Sequence, residues 1–132
     1  MLVASALLVI ASLLAPAPSR AADAKADLGA ERRAQADRVV ALADQARDAR
    51  LGAMALRLYE EALGLAPDQP AARTALGWTR AGAGWRPPAN AIPGDGWADD
   101  GEPDLARLEK KEASLRQEYV KSLVAAAAAA KA

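Results

Sequence analysis

The chain has 132 residues, contains neither histidine nor cysteine, and carries 17 basic and 17 acidic side chains, so its formal net charge is zero. A chain of this length holds at most one domain, and the missing residue types exclude a histidine-dependent triad, a thiol nucleophile, disulfide bonds and a zinc site. The balanced charge argues against a nucleic-acid-binding protein, which needs a basic face.

The first predicted element is a secretory signal peptide at residues 1–21. Leu2 to Ala15 form an apolar run broken only by two serines, and this run is shorter than the ~20 residues of an ordinary membrane span. Small side chains at Ser19 and Ala21 suit a signal peptidase that cleaves after Ala21. No Lys or Arg precedes the run, which leaves open an uncleaved weak anchor or a buried N-terminal helix. The signal predicts export to the periplasm, cell envelope or extracellular space, with no stable membrane span after its removal.

A polar, alanine-rich lead-in is predicted for residues 22–35, and a first helix from about Ala30 to Arg50 overlaps its end. In the turn after this helix, we expect Gly52 to adopt the left-handed conformation that ends helices. Small and apolar side chains recur on one face of the helix at steps of three and four, and they are Val39, Leu42, Ala43, Ala46 and Ala49.

The second predicted helix spans residues 53–65. Ala55, Tyr59 and Ala62 stand at intervals of four and three, so they share one face. Small residues on both sides of the tyrosine allow another helix to approach closely. Pro67 ends the helix, because proline has no N–H group to donate and clashes with the preceding turn.

A third, short helix is predicted from Ala71 to about Gly77, with Asp68 or Gln69 placed to cap it and Pro70 in its first turn. After it, two short runs with tryptophan flank a glycine-rich turn, a pattern typical of a small β-hairpin. The alternative is an irregular loop. Residues 81–103 are therefore interpreted as a Gly/Pro-rich loop or small hairpin followed by a linker.

A long C-terminal helix is predicted at residues 104–132, opened by Pro103 and by the acids Glu102 and Asp104 near its positive end. One face carries an apolar stripe that Glu112 interrupts, which makes the stripe a poor coiled-coil seam. The stripe consists of Leu105, Leu108, Glu112, Leu115, Tyr119 and Leu123.

The helical pair resembles a tetratricopeptide repeat, a helix–turn–helix unit of about 34 residues with small and aromatic side chains at fixed spacing. Val39 takes the place of the family's tryptophan, and Leu76-Gly77 restores its Leu-Gly pair one repeat later. Arg50 stands where the family has its turn glycine. The resemblance implies one full unit at residues 36–69 and the first helix of a second, within a repeat-like region at residues 36–80. The packing positions that it implies are Val39, Leu42, Ala43, Ala46, Ala55, Tyr59, Ala62, Pro67, Leu76 and Gly77.

Two other groups of residues invite a chemical interpretation. Carboxylates are dense at residues 95–104, and oxygen ligands at such density suit Ca²⁺, but the order of an EF-hand is missing. We interpret them as a solvated turn and the acids of a helix start. The second group consists of three tryptophans, Trp78, Trp85 and Trp97. They either pack in a small core or form an exposed surface that binds a sugar or peptide, and we favour the core.

The sequence therefore predicts a mainly all-α protein with a tetratricopeptide-like helical hairpin, a third short helix, a Trp-containing hairpin or loop and a long C-terminal helix. A single repeat cannot bury its own apolar faces, so the C-terminal stripe or a partner must cover them. The remainder, Leu76-Gly-Trp78 followed by Gly84-Trp85, resembles exported bacterial proteins in which a short repeat segment leads into such a module.

We expect a non-enzymatic exported interaction or scaffold module that binds another protein or a second copy of itself. No catalytic, cofactor-binding or metal-ligating residue is predicted, and nucleic acid is not expected as a partner. The alternative is the N-terminal helical part of a longer exported enzyme whose catalytic region lies outside this sequence.

Overall fold

The computed structural model describes residues 20–89 and 97–131, and this part of the chain is mainly α-helical, as predicted. In chain order the elements are α1 (Arg20–Asp48), α2 (Gly52–Leu65), α3 (Pro70–Ala75), β1 (Thr79–Ala81), β2 (Gly84–Arg86) and α4 (Glu102–Lys131).

α1 begins well before the predicted start of the first helix. The predicted lead-in, residues 22–35, is helical throughout. Its alanines and long charged residues are strong helix formers, but most of its side chains are exposed and its sequence shows no apolar periodicity. The predicted signal segment lies outside the described residues, except for Arg20 and Ala21, which are the first residues of α1.

The turn between α1 and α2 corrects the sequence interpretation of Gly52. The left-handed residue is Arg50, with a φ of 63°, and the Leu51 N–H donates to the Ala46 carbonyl at 2.8 Å in the pattern of a Schellman cap. Gly52 is instead the first residue of α2. A Cβ on Gly52 would lie 2.9 Å from the Ala98 carbonyl oxygen, so glycine is needed there because a distant segment approaches closely.

Local capping defines α3. The Gln69 side chain, rather than that of Asp68, accepts a hydrogen bond from the Ala72 N–H at 2.8 Å. At the other end Gly77 has a φ of 87°, and the Trp78 N–H donates to the Arg73 carbonyl at 3.0 Å. The short helix is thus closed at both ends by residues near it in sequence.

Of the two forms that the sequence left open after α3, a small β-hairpin or an irregular loop, the structure contains the β-hairpin. β1 and β2 pair antiparallel, with Thr79 opposite Arg86 and Ala81 opposite Gly84. Gly82 is the first of the two loop residues and has a φ of 60°, a positive value that tight hairpin turns require and glycine adopts at no steric cost.

The core lies between α1 and α2 and is covered by α4. Leu108 of α4 is fully buried in it, and Leu105 and Leu115 pack against it. Two ion pairs from α2 to α4, Arg57–Glu112 and Glu61–Arg116, both join residues 55 positions apart, so α4 runs parallel to α2. The C-terminal helix of the chain thereby covers apolar surface that the helical pair leaves open.

Candidate interaction surfaces

The packing positions implied by the repeat resemblance lie mostly inside the molecule. Pro67 is exposed directly after α2, and Gly77 is half-buried at the end of α3. The other positions all belong to the buried core, and they are Val39, Leu42, Ala43, Ala46, Ala55, Tyr59, Ala62 and Leu76. These residues set the geometry of the helices and offer little surface to a ligand.

Tyr59 joins α2 to α1. Its ring is buried, its hydroxyl donates to the Asp44 carboxylate, and its ring edge meets Trp97 with 5.7 Å between centroids. Burial raises the pKa of Tyr59, and the hydrogen bond to Asp44 and the charge of that carboxylate raise the pKa further. The phenol therefore stays protonated and acts as a fixed donor between the helices.

The tryptophans are each covered by an arginine. The guanidinium carbons of Arg47, Arg73 and Arg80 lie 4.3, 4.2 and 4.8 Å from the ring centroids of Trp97, Trp78 and Trp85. Trp78 and Trp97 pack against the core. In residues 20–89 and 97–131 no two tryptophan rings pair with each other, so these rings contribute to packing one by one.

Residues 97–101, which we call the clasp, bind the turn between α1 and α2. The Gly52 N–H donates to the Ala98 carbonyl at 2.9 Å, and the Gly101 N–H donates to the Arg50 carbonyl at 3.0 Å. The Asp99 carboxylate accepts from the Ala53 N–H at 3.2 Å and so satisfies an open donor at the start of α2.

Three acids of the cluster, Asp99, Asp100 and Asp104, bind groups of the chain itself. Asp100 binds Arg50 through two hydrogen bonds, which lower the pKa of its carboxyl group. Asp104 binds Arg107 at 3.0 Å, and Asp95 lies outside the described residues. In the part of the chain that the structure describes, no three Asp, Glu, His or Cys side chains are grouped to hold a metal ion.

Four charged side chains form a network between α2 and α4. Glu112, whose side chain is 10% exposed, accepts hydrogen bonds from Arg57 at 2.6 and 2.9 Å. Arg116 bridges Glu112 and Glu61 at 2.7 and 3.0 Å. The hydrogen bonds from Arg57 lower the pKa of Glu112 although burial opposes this shift. The sequence showed Glu112 only as an interruption of the stripe, because its partners on α2 are far away in the chain.

A recess opens beside α1, where the chain passes from α2 to α3. It has a volume of about 390 Å³ and continues past Arg33, Ala66 and Asp68 into a smaller hollow of about 190 Å³. We call both together the α1 recess. The larger part is lined by Gly29, Arg32, Arg33, Gly64, Leu65, Ala66, Pro67 and Asp68, and the smaller part adds Asp37, Gln69 and Pro70.

The α1 recess combines two unpaired cations with two helical glycines. Arg32 and Arg33 are exposed, and within the described residues neither forms an ion pair or a side-chain hydrogen bond. Asp68, by contrast, accepts from the Trp85 indole at 2.9 Å. A Cβ on Gly64 would meet nothing within 4 Å, and one on Gly29 would make only an ordinary contact of 3.5 Å with Arg33. The packing of the chain requires glycine at neither position.

Among residues 20–89 and 97–131, no helix has the length and apolar character needed to cross a membrane. No protein-family model, no curated protein and no solved structure matches this chain.

Proposed function

We propose that the chain is a non-enzymatic, exported interaction or scaffold module with a tetratricopeptide-like helical pair, and that it binds a segment of another protein in the α1 recess. The observation that carries this proposal is that Gly29 and Gly64 line the recess at helical positions where the packing of the chain does not require glycine. Glycine inside a helix costs about 0.5–1 kcal/mol relative to alanine. Their presence keeps the recess open to a molecule that approaches from outside.

The chemistry of the recess favours a segment that carries a carboxylate. Arg32 and Arg33 offer guanidinium groups that the described chain does not neutralise, and guanidinium groups bind carboxylates through two parallel hydrogen bonds. Leu65, Ala66 and Pro67 supply apolar surface beside them. A short segment with one acidic group and an apolar side chain fits this combination.

Export is the second part of the proposal and rests on the sequence. The apolar run from Leu2 to Ala15 and the small residues Ser19 and Ala21 support a cleaved signal. An exported protein meets its partners in the periplasm, in the cell envelope or outside the cell.

Affinity capture from an envelope extract tests the proposed function. The full chain with a C-terminal tag is the bait, and retained proteins are identified by mass spectrometry. The variant Arg32→Ala/Arg33→Ala is expected to lose the specific partner, because it removes both unpaired cations of the recess.

The matched control is Lys25→Ala/Arg86→Ala, which removes two exposed cations outside the recess and is expected to retain the partner. Equal retention by both double variants, or no protein captured above background by the native chain, would contradict the proposed function. Circular dichroism of each variant verifies that the helices are intact.

A further inference from the structure

Two acidic side chains line the α1 recess together with its two arginines. Asp37 and Asp68 both lie in the smaller part, and Asp68 also borders the larger part. Arg33 shares both parts with Asp68. Opposite charges in so small a hollow attract each other. In the described part of the chain, however, neither acid forms an ion pair with Arg32 or Arg33.

Each of these acids is instead held by another donor. The Asp37 carboxylate accepts a hydrogen bond from the Gln69 side chain at 3.0 Å. The Asp68 carboxylate accepts one from the Trp85 indole at 2.9 Å, and a guanidinium nitrogen of Arg80 lies 3.6 Å from the same oxygen. The Asp68 side chain is 83% exposed, so its direction is set by these contacts and not by packing.

The β-hairpin supplies both groups that hold Asp68. Arg80 of β1 and Trp85 of β2 stand opposite each other, and the Arg80 guanidinium lies 4.8 Å from the centroid of the Trp85 ring. None of the residues of β1 and β2 belongs to the buried core. The contacts of Arg80 and Trp85 with Asp68 join the hairpin to the loop between α2 and α3, at the border of the α1 recess.

Arg33 is placed to pair with Asp68 if that carboxylate is released. A Cβ on Gly29 would lie 3.5 Å from a guanidinium nitrogen of Arg33, so this guanidinium now lies about one turn before its own Cα along α1. The arginine side chain is long and has many rotamers, and both parts of the recess are open to it.

We propose that Trp85 is a positioning residue of the α1 recess: it holds the Asp68 carboxylate away from Arg33 and so keeps this arginine free for the carboxylate of a bound segment. The inference rests on the proposed function, because it names the residue that maintains the charge of the same recess. Without the indole N–H, Asp68 pairs with Arg33 and competes with the acidic segment.

The NMR resonance of the Arg33 Nε–H group tests this pairing without any partner. It is recorded on the isotope-labelled full chain and assigned by its loss in Arg33→Lys. Trp85→Phe keeps an aromatic ring beside Arg80 and changes no charge, and we expect it to shift the Arg33 resonance. Adding Asp68→Asn should return the resonance to its native position, because the competing carboxylate is then gone.

Trp97→Phe is the matched control. Trp97 also lies under an arginine, with the Arg47 guanidinium 4.3 Å from its ring centroid, but it packs beside Gly52 at the other end of α2. The same exchange of side chains there should leave the Arg33 resonance unchanged. Circular dichroism of each variant verifies that the helices are intact.

The second readout is the affinity for an N-acetylated, C-amidated Leu-Glu dipeptide, which carries one apolar and one acidic side chain. We expect Trp85→Phe to weaken its binding about threefold, the scale of competition by one exposed ion pair. Asp68→Asn should restore the affinity in the Trp85→Phe chain. In the native chain it should have a smaller effect, since Trp85 already holds Asp68 there. A purely structural role of Trp85 predicts no such rescue.

An Arg33 resonance that ignores Trp85→Phe, or a shift that persists after Asp68→Asn, would overturn the inference. Equal effects of Asp68→Asn on dipeptide affinity in the two backgrounds would overturn it as well. If the Arg33 resonance responds as expected but the native chain binds neither the dipeptide nor a protein of the extract, the positioning of Asp68 stands and the proposed function fails. If a partner is captured through the recess while Arg33 ignores Trp85→Phe, only the inference fails.

Discussion

Glu112 is the residue through which α4 is anchored to α2. Its carboxylate is nearly buried and is held by Arg57 and Arg116. Because these contacts lower its pKa below the ordinary 4.5, the folded state prefers the ionised form. The resulting stability is present above the pKa of the unfolded chain and is lost as the pH falls through the lower pKa of the folded state.

Replacing Glu112 with glutamine should therefore lower stability in a pH-dependent manner. At pH 7 we expect Glu112→Gln to reduce the free energy of unfolding by roughly 1–2 kcal/mol, because the charge-assisted hydrogen bonds to the carboxylate are lost. The loss is not larger because Arg57 is half-exposed, so water screens its interaction with Glu112. The difference from the native chain should shrink as the pH falls below the ordinary 4.5 towards the lower pKa of the folded state, because protonation removes the charge that glutamine lacks. Urea titrations at pH 7 and pH 3 measure this, with exposed Glu109→Gln as the control. A loss of equal size at both pH values would refute the assignment.

Gly101 shows how closely the clasp approaches the end of α1. A Cβ at this position would lie 1.8 Å from the Ala49 carbonyl oxygen, so the backbone must move to accept any side chain. We expect Gly101→Ala to destabilise the fold by about 1–3 kcal/mol, as overpacking does. Gly84→Ala is the matched control, because its nearest atom lies at 3.9 Å, and urea unfolding compares the two. Equal stability of the two variants would mean that the clasp does not bind the turn as described.

Single residues also show where sequence reasoning stopped. The rule that glycine takes the left-handed position of a turn pointed to Gly52, yet Arg50 occupies it and its side chain binds Asp100. Glycine is required at position 52 because residues 97–98 pack closely against it. Neighbouring residues in the sequence do not reveal this contact. The α1 recess escaped prediction for the same reason, since Gly29 and Gly64 are distant in sequence.

At the scale of elements, the sequence was sufficient to predict α3, because the residues that cap this helix are its neighbours in the chain. Gln69, Pro70 and Gly77 delimit α3 by local chemistry. The glycine-rich turn between Ala81 and Gly84 allowed the hairpin, but the sequence left an irregular loop open as the alternative. The start of α1 was missed because a solvated helix of alanines and charged residues has propensity but no periodicity. Glu112 interrupts an otherwise apolar stripe because it pairs with Arg57 of α2. The sequence alone does not reveal this contact, since the two residues are 55 positions apart.

The covering of the helical pair by α4 depends most on Leu108. This side chain is fully buried among residues of α1 and α2. We expect Leu108→Ala to lower the free energy of unfolding by about 2–4 kcal/mol, because truncation leaves a cavity as well as removing apolar contact. Urea unfolding measures the loss, and Leu28→Ala on the exposed side of α1 is expected to cost less than about 0.5 kcal/mol. If the two variants unfold alike, α4 does not close the core.

At the scale of the whole molecule, the chain itself covers the helical pair of α1 and α2. Leu108 of α4, Ala72 of α3 and Leu76, which directly follows α3, belong to the same buried core as the apolar residues of α1 and α2. We propose the repeat resemblance from the spacing of small and aromatic residues. We propose the interaction function from the geometry and charge of the α1 recess.

Export makes a separate prediction at this scale. If the apolar run is a cleaved signal, the exported protein should begin at Ala22, two residues after the start of α1. N-terminal sequencing of exported material measures this directly. A mature protein that retains Leu2–Ala15 would exclude cleavage and indicate a tether instead.

The most direct test of the account is the variant Gly64→Leu, measured for both stability and partner retention. Leucine is a better helix former than glycine by up to about 1 kcal/mol, and the position is open, so the free energy of unfolding should stay equal or rise. The new side chain fills the α1 recess, so the captured partner should be lost. Ala41→Leu, which adds a comparable group on an exposed part of α1, should retain it. A Gly64→Leu chain that folds as predicted and still binds its partner would contradict the claim that the α1 recess is the binding surface.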